Sequence, residues 1–191
     1  HAALDEVEKS EGPGALVTTG EGKFYTNGID LTWMMGEGAS HQQEFSREAH
    51  RFFLRLLTFP MVTVAAVNGH VFAAGAVAAM AQDFRVMRSD RGFFCLPEVD
   101  LKVPFSLGVM RIVKERMESQ ALHDLVLTGR RIAGEEAVAL RIADVTVPEA
   151  EVLPKALEMA RALCDKDRAT LVALKRAMYP DLIAALEAAA R

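Results

Sequence analysis

The period of the apolar positions changes along the chain, and the changes mark an α/β half followed by an all-helical half. Leu4 and Val7, set among Asp5, Glu6, Glu8 and Lys9, read as the tail of an amphipathic helix that Gly12-Pro13-Gly14 stops. Ala15–Thr19 is a short strand, and the turn Gly20–Lys23 carries it into Phe24-Tyr25-Thr26-Asn27-Gly28-Ile29-Asp30-Leu31. Trp33, Met34 and Met35 follow, and Gly36–Ser40 reads as a mobile loop. Over residues 42–58, apolar side chains recur at Phe45, Ala49, Phe52, Phe53, Leu56 and Leu57, the stripe of a helix that Pro60 ends. The run from Met61 to Val67 is almost wholly apolar and β-branched at Val62, Val64 and Val67, as a buried strand requires. Asn68-Gly69 breaks it, since both residues tolerate positive φ. After Ala73-Ala74-Gly75 the pattern becomes helical, with almost nothing but small side chains.

Phe84–Arg88 and Phe93–Cys95 read as further strands on either side of a Ser89–Gly92 turn. Ser106 is placed to cap the helix that follows Val103-Pro104-Phe105. Helices are predicted over about 106–117 and 119–128, and a third after Gly134 with Glu135 and Glu136 in its first turn. A short extended piece, 143–147, precedes helices over 149–165 and 168–177 and a last one after Pro180.

Strand, glycine-containing turn and helix thus occur twice, at 15–35 and at 61–81. A helix as bare as the second must pass close to other backbone, because it has little side chain to fill space. Its first amides have no partner inside the helix and sit at the positive end of the dipole. Together with the turn at Asn27-Gly28, they can present two N–H groups to one polarised oxygen if the two strands are neighbours in one sheet. The plainer alternative is a close helix–strand crossing with no chemistry.

Bulk properties narrow the picture. The chain has 191 residues, 51% of them hydrophobic, enough for one sizeable core. Mean hydropathy is +0.13, high for a soluble monomer, which points to a subunit interface. No apolar run reaches membrane-spanning length. A net charge of −4 argues against a nucleic-acid or membrane binder. Cys95 and Cys164 match no metal or redox spacing and read as buried thiols of a reducing compartment. No signal or transit peptide is evident, and the chain starts at His1 without Met, partway through a helical pattern.

Three stretches stand together: Lys23-Phe24-Tyr25-Thr26-Asn27-Gly28-Ile29-Asp30-Leu31, then Ala66-Val67-Asn68-Gly69-His70 through Gly75, then Leu96-Pro97-Glu98-Val99-Asp100-Leu101. With Thr128-Gly129-Arg130-Arg131-Ile132 and Glu136-Ala137 downstream, nearly the whole chain resembles the crotonase, or enoyl-CoA hydratase/isomerase, superfamily. It enters the family pattern late, without the usual N-terminal β-hairpin and following strand. The resemblance implies an α/β fold, a spiral of ββα units over residues 1–105, with a C-terminal helical region over 106–191 that builds trimers or dimers of trimers. It implies an acyl-CoA thioester as substrate, coenzyme A entering only as part of that substrate, and no separate cofactor, metal, nucleic acid or membrane partner. The thioester oxygen would be held by the amides of Asn27 and Ala74. Substrate contacts would come from Lys23, Tyr25, Thr26, Gly28, Ile29, Asp30, Phe72, Ala73, Gly75 and Leu96. A cytoplasmic location is expected, or a peroxisomal or mitochondrial one if residues are missing at either end.

One departure from the family pattern carries the most information. Hydratases of this family use two glutamates, one in the central helix and one in the Pro-Glu segment. Here the first position is Val77 and the second is Glu98. Hydration needs a base for water and an acid for carbon, whereas moving a double bond needs one group that takes a proton at C2 and returns it at C4. The pattern therefore looks like a Δ3,Δ2-enoyl-CoA isomerase with Glu98 as the shuttle. A hydratase with a second acid from elsewhere and a non-catalytic acyl-CoA-binding scaffold are the alternatives.

The remaining candidates divide between chemistry and packing. Trp33, Met34, Phe72, Phe94, Leu96 and Phe105 are candidates for an acyl tunnel or for ordinary core. Lys23 and the stripe Arg47, Arg51, Arg55 either meet CoA phosphates or are solvated. His50 and His70 read as structural, and Asp30 as ordering the turn under Asn27. Arg141 stands where the family usually has glycine, at a cost of about 1 kcal/mol if its φ is positive.

Overall fold

Two parallel sheets come mostly from the first half of the protein, one strand in each being laid down per turn of the chain, and a strand at Val145–Val147 is added to one of them from the second half. The computed structural model describes residues 1–191. The strands are β1 (Ala15–Thr19), β2 (Phe24–Thr26), β3 (Val62–Val67), β4 (His70–Phe72), β5 (Phe84–Arg88), β6 (Phe94–Cys95) and β7 (Val145–Val147). The odd strands form one sheet, in order β1-β3-β5-β7, and the even ones a smaller sheet, β2-β4-β6. Every pairing is parallel. The helices are α1 (Ala2–Lys9), α2 (Leu31–Met35), α3 (Gln42–Leu57), α4 (Ala74–Ala81), α5 (Glu98–Leu101), α6 (Leu107–Arg116), α7 (Ser119–Thr128), α8 (Gly134–Ala139), α9 (Glu149–Leu163), α10 (Arg168–Met178) and α11 (Pro180–Ala189). This is the expected α/β spiral of ββα units with a helical C-terminal region. No helix is long and apolar enough to cross a membrane.

The central strand β3 is buried at all six positions, which is why it reads as one apolar run rather than an alternation. Behind it α4 lies inside the core, with Ala76, Val77, Ala79, Met80 and Ala81 all at 1% exposure or less. Its alanines let it approach the sheets closely, and side chains such as Val77 and Met80 each contribute about 1.5–3 kcal/mol by leaving water. Arg116 caps the C-terminal end of α4, donating to the carbonyls of Met80, Gln82 and Asp83 at 2.6–3.0 Å. Lys175 of α10 is buried and donates to Phe59 O (3.1 Å), Met61 O (2.9 Å) and Asp83 Oδ2 (2.6 Å). The late helices are thereby tied to the entrance of the central strand. One apolar cluster runs from Phe53 to Leu186, so α6, α7 and α11 share the core with α4 and β4.

Several expectations are refined. Gly36–Ser40 is not a mobile loop: Glu37–His41 form a 3-10 turn, and the Trp33 ring lies 2.6 Å from where a Cβ of residue 38 would be. Ordering there comes from a tryptophan packed onto a glycine and onto Phe45 (ring centroids 5.8 Å apart), which no local pattern announces. Residues 70–72 form a strand and 98–101 a short helix, both too short for periodicity to reveal. Cys95 is buried as expected, but Cys164 is partly exposed at the end of α9. Arg141 does adopt positive φ, at +56°. Ser106 caps α6, accepting from Val109 N at 3.2 Å, and also bonds His50 Nε2 at 2.7 Å.

Candidate active site

The three stretches singled out in the sequence follow the three strands of the smaller sheet. Asn27-Gly28 comes after β2, Ala73-Ala74-Gly75 after β4, and Leu96-Pro97-Glu98 after β6. Because the strands are parallel, all three segments leave from the same edge, the carboxyl edge where open α/β sheets place their ligands. Phe72 pairs with Cys95 in register, and Ala73 N donates to Cys95 O at 3.1 Å. Gly28 has φ +89°, and a Cβ there would lie 3.0 Å from Phe72 O and 3.4 Å from Ala74 N. Only glycine lets the two turns come this near. A Cβ on Gly75 would fall 2.2 Å from Thr26 Cγ2, so the second glycine seats α4 directly on β2.

The amides at this edge are left unused by the fold. Ala73 (φ +50°, ψ −129°) turns the chain sharply and makes Ala74 the first residue of α4. Neither Asn27 N nor Ala74 N donates to a protein acceptor, while Gly28 N is taken by Thr26 Oγ1 at 3.2 Å. Two unpaired donors, one at a helix N-terminus, are suited to an oxygen that gains negative charge.

Glu98 opens α5. The amides of Asp100 and Leu101 return to Pro97 O, and Val103 N donates to Glu98 O at 3.1 Å, with Lys102 at φ +58° closing the turn. Its Oε2 is buried without a hydrogen-bond partner. Burial pushes the carboxyl up to about 7, opposed only by its own backbone amide. Such a group is balanced between acid and base near neutral pH. Val77 is fully buried and offers no proton. The Cys95 thiol donates to Gly129 O at 3.0 Å, and burial raises its pKa. No cluster of His, Cys, Asp and Glu able to hold a metal ion occurs.

A cavity of about 490 Å³ opens between α3, α4 and the ends of β1 and β2. Tyr25, Thr26, Gly28, Ile29, Ala74 and Gly75 line it, bringing together six of the residues singled out in the sequence. The others stand elsewhere. Phe72 points to the opposite face of the smaller sheet, against Phe24 and His70, with the Arg131 guanidinium 5.2 Å from its ring. Lys23 Nζ sits 5.5 Å from the Phe24 ring. Asp30 caps α2 by accepting from Trp33 N at 3.0 Å. Leu96 and Phe94 are in the core. Glu98 follows the neighbouring strand and does not line the cavity. Of the arginine stripe, Arg51 pairs with Glu48, and Arg55 with Asp5 and Glu8 of α1.

Two parts of the lining were not assigned to the site from sequence. The aromatic wall comes from Phe45, Phe52 and Phe53 of α3, visible beforehand only as a helix stripe. At the polar end, Tyr25, already singled out, is joined by Thr18 and Gln82, hydrogen-bonded across up to 64 positions, which no local spacing could announce.

Against known proteins, the enoyl-CoA hydratase/isomerase family pattern matches residues 1–191. The chain is 32% identical over 188 residues to enoyl-CoA delta isomerase 3 of Arabidopsis thaliana, covering 94% of this chain and 79% of that protein. It is 33% identical over 162 residues to a carnitinyl-CoA dehydratase of Escherichia coli, covering 84% and 61%. Among solved structures, an apo enoyl-CoA isomerase of Mycobacterium tuberculosis superposes with a TM-score of 0.85 at 26% identity, covering 99% of this chain and 79% of that one. With residues 1–191 all matched by the family pattern and the fold shared, the chain belongs to the enoyl-CoA hydratase/isomerase family of the crotonase superfamily.

Proposed function

We propose that the protein is an isomerase of unsaturated acyl-CoA thioesters, moving a 3-enoyl double bond to the 2-position. The thioester carbonyl would be received by the amides of Asn27 and Ala74. Ionised Glu98 removes a proton from C2, and the electron pair delocalises onto the thioester oxygen on one side and, through the C3=C4 bond, onto C4 on the other. The carboxylic acid so formed returns the proton at C4, leaving a C2=C3 bond conjugated with the carbonyl. Each amide is suited to stabilise the oxyanion, and removing one such donor in comparable sites costs about 3–4 kcal/mol.

The observation that carries this reading is the asymmetry of the two acid positions. Val77 is apolar and sealed in the core, while Glu98 keeps a buried oxygen with no partner and a carboxyl that titrates near neutrality. A single group at that pKa suits a proton that leaves one carbon and returns to another. Kinship with a protein named enoyl-CoA delta isomerase supports the same choice. The test is to supply a trans-3-enoyl-CoA and follow the absorbance of the conjugated 2-enoyl thioester. Turnover that Glu98→Gln abolishes is expected. Water addition to a 2-enoyl-CoA without isomerisation would favour the hydratase, and tight binding without turnover the scaffold. Assembly into trimers belongs to the same proposal, with Val99, Val103, Leu107 and Leu127 as exposed apolar residues available for it.

A further inference from the structure

The lining of the cavity beside the two candidate amides includes a polar ring. Tyr25 Oη and Thr18 Oγ1 are 2.6 Å apart, Thr18 Oγ1 donates to Gln82 Oε1 at 2.9 Å, and Gln82 Nε2 donates to Tyr25 Oη at 3.0 Å. The other Gln82 amide proton points to Ala78 O at 3.4 Å, which sets the orientation of the amide. Since Thr18 spends its proton on Gln82, the proton between Thr18 and Tyr25 belongs to Tyr25. Every donor in the ring is then engaged, and only oxygen lone pairs remain to face a ligand. Most of the surrounding wall is apolar, from Phe45, Phe52, Phe53, Leu56 and Ala78, with Thr19, Thr26 and the His1–Glu48 pair as its other polar residues.

The ring also lies at a definite distance from the Ala74 amide. Ala74 and Ala78 of α4 and Gln82, the residue that ends it, line the cavity at i, i+4 and i+8, a row about 12 Å long at 1.5 Å per residue. A saturated chain of tetrahedral carbons advances about 1.3 Å per carbon, so nine or ten carbons reach from the Ala74 amide to Gln82.

We infer that this cavity takes the tail of an acyl thioester of about eight to ten carbons, and that Thr18, Tyr25 and Gln82 select a tail carrying a hydroxyl near its end. The inference rests on the proposed seating of the thioester at Asn27 and Ala74. A terminal hydroxyl donates to the free lone pairs of the ring. A methyl end leaves them unpaired, and a carboxylate brings only more lone pairs against them.

The test is a series of 3-enoyl-CoAs of six to fourteen carbons, together with ten-carbon thioesters ending in methyl, hydroxymethyl or carboxylate. In the wild type, kcat/KM is expected to fall beyond about ten carbons. The hydroxyl tail should exceed the methyl tail about fivefold, the worth of one good hydrogen bond, with the carboxylate below both. Thr18→Val and Gln82→Leu should bring hydroxyl and methyl tails within twofold, and Ala78→Leu, which narrows the row without touching the ring, should shorten the preferred chain. Calorimetric dissociation constants of the corresponding saturated acyl-CoAs carry the same series without chemistry. Equal use of all lengths and tails, or variants that keep the wild-type order, overturns the inference. Binding in the stated order by a protein that isomerises nothing supports the inference and refutes the isomerase alone.

Discussion

The pH dependence of isomerisation tests Glu98 most directly. In the proposed shuttle the form that removes the C2 proton is the carboxylate, so kcat/KM is expected to rise with pH through the pKa of the free enzyme. With the carboxyl at about 7, roughly one-tenth is ionised at pH 6 and nine-tenths at pH 8. A carboxyl at its ordinary 4.5 would be almost fully ionised at both. The expected profile therefore gains about tenfold between pH 6 and 8, with its midpoint near 7. Because burial rather than a neighbouring charge sets the value, added salt should scarcely move that midpoint. Stability follows with a definite sign. The folded-state pKa is raised, so Glu98 favours folding in its protonated form, and that contribution is lost as pH climbs from 4.5 through 7. Glu98→Gln removes the loss and should raise the urea midpoint at pH 8 but not at pH 4. The interval 7 − 4.5 corresponds to about 3.4 kcal/mol. Partial access of solvent to this half-buried residue brings the expected gain to about 1–2 kcal/mol. An acid limb near 4.5, or a Glu98→Gln protein with wild-type turnover, would refute the shuttle.

Three further substitutions probe the scaffold around the site. Gly75→Ala places a methyl 2.2 Å from Thr26 Cγ2, so α4 or β2 must shift; a loss of about 1–3 kcal/mol in denaturant titration and a fall in kcat are expected. Ala73→Gly relieves a residue held at φ +50° and should stabilise by about 1 kcal/mol, seen as a Tm about 2–4 °C higher. Lys175→Met leaves the Asp83 carboxylate without its counter-charge, held only by Thr63 N and Oγ1, and takes the donor from the carbonyls of Phe59 and Met61; it should cost about 3–5 kcal/mol, pairing it with Asp83→Asn should recover part, and a double-mutant cycle reads the coupling.

What could be read from sequence was what is local. The strand Val62–Val67 and the Ser106 cap each follow from a few neighbouring residues, and both are present in the fold, whereas the positive φ of Arg141 is suggested by the family's glycine at that place and not by its neighbours. The glycines at 28 and 75 were visible as turn chemistry, though their purpose, letting β2, β4 and α4 meet, depends on strands more than 40 positions apart. Side-chain direction was harder. In a strand of three residues, alternation decides that Val71 faces the core and that His70 and Phe72 face the other way, but only once β4 is recognised as a strand. Phe72 therefore looked like a tunnel residue and stands instead under Arg131, while the cavity takes its aromatic wall from α3. The polar ring was beyond reach for a deeper reason. Thr18 and Gln82 are each unremarkable in their own segment, and with Tyr25 they form a ring only when β1, β2 and the end of α4 converge. The proposed reaction type and the proposed substrate choice consequently sit at different depths in this sequence. The first turns on one position of a recognisable helix, Val77, set against Glu98. The second turns on a contact among three segments, and a single change at Thr18 or Gln82 could alter it while every motif of the family stayed in place.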